Sequence, residues 1–140
     1  MDSSWGIVIV AVVSSIGTVV GVKMANGHSA KLAADQRRAD ATTQQRARLM
    51  EAFTAYMAAV ERVEASFWRD LTLEGYSELR LGLDVRETHL SVMGNPAIAT
   101  AARELSTQYG TSAPLPNPDP ERQRLKDHLT ETVRTALMEV

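Results

Sequence analysis

The chain has 140 residues, 44% hydrophobic and 23% charged, with a formal net charge of −2 and no cysteine. That is room for one modest domain. The missing cysteines exclude a disulfide framework, a thiolate zinc site and a cysteine nucleophile, and the near-neutral charge argues against a dedicated nucleic-acid binder.

The mean hydropathy of −0.16 is that of an ordinary soluble protein, but it averages two segments of opposite character. From Ser3 to Val22 no residue carries a charge. Twenty helical residues at about 1.5 Å each cover the roughly 30 Å hydrocarbon core of a bilayer, so a transmembrane anchor is predicted over 1–22. A cleaved signal peptide would begin with basic residues and end at a small-residue cleavage site. Here the start is Met1-Asp2-Ser3-Ser4, and no such site follows Val22, so the anchor is expected to be retained.

Lysine and arginine flank the cytoplasmic side of a span. None precedes this one, whereas Lys23, Lys31, Arg37 and Arg38 follow it. The expected location is the inner (plasma) membrane, with the N-terminus out, Trp5 at the outer interface and the rest of the chain cytoplasmic. Within the span, Ser14, Gly17 and Gly21 share a helical face on which two backbones could approach closely.

Residues 23–48 carry six basic and two acidic groups, and residues 49–140 nine basic and fourteen acidic. The first stretch is rich in Ala, Gln and Arg, with Leu32 its single large apolar residue from position 30 on, and reads as a solvated basic helical stalk. Asn26-Gly27 with Ser29 offers a break and N-cap; a helix continuous through Gly27 is the alternative, at a cost of about 1 kcal/mol relative to Ala. Lys23, Lys31, Arg37 and Arg38 are candidate contacts to an anionic lipid surface, since each such charge near a leaflet gains about 1 kcal/mol.

At Leu49 the pattern changes. Leu49, Phe53, Tyr56, Val60, Val63 and Phe67 form an apolar stripe at helical spacing, continued to Leu71, with Met50 and Met57 alongside and Glu51, Glu61, Arg62 and Arg69 opposite. The stripe would suit a coiled-coil seam but is shorter than the three to four heptads such a seam needs, which favours a bundle core helix. From Tyr76 to Met93 the alternation of Leu79, Leu81, Leu83 and Val85 is strand-like. No neighbouring strand is available across a turn, so a helix is predicted, with Tyr76, Leu79, Leu83, Leu90 and Met93 on one stripe and Leu81, Val85 and Val92 on an adjoining one.

Gly94-Asn95-Pro96 is a helix stop followed by an N-cap and a first-turn proline. A short helix with Ile98, Ala101, Ala102 and Leu105 follows. Pro114, Pro116, Pro118 and Pro120 then make a stiff extended connector, and Asp119 caps a last helix whose apolar face holds Leu125, Leu129, Val133, Ala136, Leu137 and Val140. The expected fold is all-α: an N-terminal transmembrane helix continuing into a long helical stalk, then a small three- to four-helix bundle. Its helices are placed at about 49–72, 75–93, 96–109 and 120–139, with the connector over 110–119.

The uncharged span, the Arg-rich stalk ending Arg46-Ala47-Arg48, the helix around Phe53-Thr54-Ala55-Tyr56-Met57-Ala58-Ala59 and a short Ala-rich third helix resemble small uncharacterised single-pass (bitopic) membrane proteins of bacteria. The resemblance implies an anchored cytoplasmic helical bundle and carries no activity with it.

The chemistry-bearing residues are sparse. His28, His89 and His128 lie far apart in sequence, and the best cluster, His128 with Asp127 and Glu131, puts only His128 and Glu131 on one helical face. No E-x-x-H, nucleophile elbow, P-loop or dinucleotide fingerprint occurs. Glu61/Glu64 and Asp84/Glu87 read as charged helix faces. The expectation is therefore no catalytic, cofactor-binding or metal site. The chain reads instead as a membrane-anchored structural or interaction protein with the bilayer, a second copy or another protein as partner. A small holin-like or toxin-type pore former is the alternative.

Overall fold

The computed structural model describes the backbone of residues 3–66, 73–110 and 119–139, and the side chains of 26–66, 74–110 and 119–139. The described chain is all-α, with no strand among the described residues. Its elements are α1 (Ser3–Ser66), α2 (Leu73–Met93), α3 (Pro96–Thr107) and α4 (Pro120–Glu139). Two compact units divide it, 1–42 and 43–140.

In the first unit α1 passes through Asn26 and Gly27 without a break, so Ser29 is not an N-cap. A Cβ at Gly27 would meet nothing within 4 Å, and the helix tolerates the glycine at its ordinary propensity cost. Of the described side chains before Thr43 only Ala33 and Thr42 are half-buried, and Leu32 is 51% exposed. Among the described residues no helix is long and apolar enough to cross a membrane. The expected span over 1–22, with Trp5, falls on residues whose side chains lie outside that description.

In the second unit α3 packs closely against both α2 and α4. Small Ala101 and Ala102 in its buried face let helix axes approach. The core combines Leu49, Ala52, Tyr56, Val60 and Val63 of α1 with Leu83 and Leu90 of α2. Ile98 and Leu105 of α3 and Leu125, Leu129 and Val133 of α4 join it. The stripe expected from Leu49 is thus the buried face of α1 as far as Val63, with two adjustments. Phe53 is partly buried against the core, and Met50 is 44% exposed, because it lies one residue, or about 100°, off the seam. Phe67, Arg69 and Leu71 lie outside the described residues.

The helix expected at Tyr76–Met93 is present. Its second stripe is not core: Leu81, Val85 and Val92 are 65%, 57% and 72% exposed, while Leu83 and Leu90 on the opposite face are fully buried. Helical spacing sets the two stripes on opposite faces, since Leu81 and Leu83 are separated by about 200° around the axis, so only one of them can be buried.

The punctuation at residues 94–96 works as its chemistry demands. The Gly94 amide donates to the Leu90 carbonyl at 2.8 Å, and the Asn95 side chain accepts from the Ile98 amide at 3.0 Å. A Cβ at Gly94 would fall 2.8 Å from Ile98 Cγ2, so the close packing of Ile98 requires glycine there. At α4, Asp119 Oδ1 accepts from the Glu121 amide at 2.9 Å, the expected cap. α3 ends at Thr107, two residues short of the expected 109, because the amides of Gln108 and Tyr109 bond to carbonyls three residues back and tighten the last turn.

Candidate functional site

The chain's three tyrosines organise a polar cluster joining all four helices of the second unit. Tyr56 of α1 is fully buried, and its hydroxyl donates to the Ala102 carbonyl of α3 at 2.9 Å. A phenol has one proton to give, so the 2.9 Å contact with Ser106 Oγ is a bond donated by the serine. Tyr109, just past α3, donates to Glu64 Oε1 at 2.7 Å; the other oxygen of Glu64 accepts from Lys126 Nζ of α4 at 2.5 Å. The Tyr76 hydroxyl of α2 donates to the Tyr109 carbonyl at 2.9 Å. Arg122 of α4, only 2% exposed, places its guanidinium 5.7 Å from the Tyr109 ring centre, with Nε 3.4 Å from Asp119 Oδ2.

Burial pushes the Tyr56 phenol well above its ordinary value of 10.0, against a smaller opposing effect of the Ser106 hydrogen bond. Burial also raises Tyr109, and donation to the negative Glu64 raises it further, since losing that proton would set two anions side by side. Both phenols are held as neutral donors. The cluster is therefore built to clamp helices together, with Glu64 as its hub.

The sequence pattern sets Glu64 on a charged face with Glu61. Glu61 is exposed, but the Glu64 side chain is only 15% exposed. The available signal is that Glu64 follows Val60 by four residues, at the edge of the apolar stripe, where a carboxylate needs a partner. Asp84 and Glu87 are engaged separately, with Arg80 at 2.7 Å and Arg103 at 3.9 Å. His28, His89 and His128 are all exposed. Asp127 accepts from Gln123 at 2.9 Å and Glu131 from Arg134 at 3.2 Å. Among the described residues no group of three or more metal-type ligands is close enough to hold an ion.

Replacing Glu64 by leucine should strand Lys126 and the Tyr109 hydroxyl, and lower stability by about 2–3 kcal/mol. Glu64→Gln, which still accepts from Tyr109, should cost about half of that. Chemical denaturation midpoints measure both, and unchanged midpoints would make the pair an inconsequential surface contact.

A second feature is an open groove between α1 and α2, of about 290 Å³. Ala55, Ala58, Ala59 and Arg62 line it from α1, and Glu78, Leu79, Gly82 and Arg86 from α2. Of the surface positions expected from sequence, Lys31, Arg37 and Arg38 are exposed on α1. Lys23 and the packing candidates Ser14, Gly17 and Gly21 have side chains outside the described residues. Compared with known proteins, the chain matches no family model, no curated protein and no solved structure.

Proposed function

We propose that the chain is a membrane-anchored structural or protein-interaction module, holding its helical bundle on the cytoplasmic side of a bilayer at the end of a basic stalk. The observation that carries this reading is the uncharged run Ser3–Val22, long enough for a hydrocarbon core, on a helix whose backbone continues from Ser3 to Ser66. The basic residues following that run support the orientation, and the exposed Lys31, Arg37 and Arg38 are free to meet anionic headgroups. Ser14, Gly17 and Gly21 would give the span a face for packing against a second span. In the bundle, Glu64, Lys126 and Arg122 hold helices together, and its outer surfaces serve for contact.

Expressed in bacteria, the intact chain should stay in the membrane pellet through an alkaline carbonate wash, and deletion of residues 3–22 should release it. Release of the intact chain would overturn the anchor. Overexpression should leave a membrane-potential dye unchanged; depolarisation would instead support the pore-forming alternative.

A further inference from the structure

α2 is apolar on two opposite faces. Leu83 and Leu90 fill the core, while Leu81, Val85 and Val92 stand exposed on the far side at spacings of four and seven residues. Beside this stripe runs the row Glu78, Gly82 and Arg86, each four residues from the next, which also lines the groove with the alanines of α1. All three are exposed, and neither Glu78 nor Arg86 makes an ion pair among the described residues. A Cβ at Gly82 would meet nothing within 4 Å.

We propose that this face is a homodimer interface, in which the α2 helices of two copies cross antiparallel about a two-fold axis near Gly82. The row is self-complementary under that operation alone. An antiparallel two-fold at Gly82 brings each copy's Glu78 opposite the other's Arg86, whereas a parallel pairing sets like charges together. The same axis places the Leu81 and Val85 side chains of the two copies together along one side of the seam, removing from water that part of the apolar stripe that α2 leaves uncovered. The proposal rests on reading the bundle as an interaction module and is independent of the anchor.

The test uses the full chain in detergent, which has no native cysteine to interfere. Gly82→Cys should be captured as a covalent dimer by a short bifunctional maleimide. Adding Arg86→Glu should abolish the dimer, because it opposes two carboxylates; adding Glu78→Arg to that variant should restore it. All three positions are exposed in the single chain, so far-ultraviolet circular dichroism of every variant should keep the helical content of the parent and confirm folding. No cross-linked Gly82→Cys dimer, a dimer indifferent to Arg86→Glu, or failure of the charge swap to restore it would each overturn the interface. Membrane association, read by the carbonate wash, fails or survives independently of these results.

Discussion

Replacing Val60 by aspartate should abolish the cooperative thermal melt of the bundle. Val60 is fully buried in the core shared by α1, α2, α3 and α4, with Tyr56 and Val63 one turn to either side on the same face. An aspartate there must remain charged without a partner or take up a proton, and either course costs several kcal/mol. A domain of this size has about 5–15 kcal/mol in total. Near-ultraviolet circular dichroism reports the loss directly, because Tyr56 and Tyr109 are buried and hydrogen-bonded in the folded chain. Met50→Asp is the matched control: at 44% exposure the new charge stays hydrated, and the melt should move by no more than about 0.5 kcal/mol. Equal effects from the two substitutions would mean that Val60 is not in the buried seam of α1.

Alkaline pH should unfold the bundle cooperatively. Tyr56 and Tyr109 both have phenols raised above the ordinary value of 10.0, chiefly by burial. The folded state therefore keeps protons that the unfolded chain releases, so stability falls as pH rises. The contribution of the two groups is fully present below pH 10 and is lost above it, at about 2.7 kcal/mol per pH unit while both stay protonated in the fold. Tyrosinate absorbance from these two residues should appear together with the loss of structure. Substituting both by phenylalanine should flatten the alkaline limb. Titration of Tyr56 and Tyr109 near pH 10 in a chain that stays folded would contradict their buried placement.

Much of this architecture is legible in the sequence, because it rests on local chemistry. The stop, cap and proline at Gly94-Asn95-Pro96 and the Asp119 cap depend on backbone groups within four residues, and both appear as expected. The Leu49–Val63 stripe is legible because only a helix brings those residues to one side. What escapes is tertiary. Glu64 and Lys126 are 62 residues apart and Tyr56 and Ser106 50 apart, so no local pattern announces that they meet. Likewise, the periodicity of α2 offers two apolar stripes and does not say which faces the core. Packing against α3 decides for Leu83 and Leu90, and leaves Leu81, Val85 and Val92 outside.

The proposed anchor makes one demand that a single measurement meets. With the positive flank of residues 23–38 held on the inner side, whatever follows Val140 must be cytoplasmic. A fluorescent protein that matures only in the cytoplasm should therefore glow when fused after Val140, and an alkaline phosphatase at the same point, which needs the oxidising periplasm, should stay silent. Phosphatase activity with a dark fluorescent fusion would contradict the proposal outright, placing the bundle on the other side of the membrane.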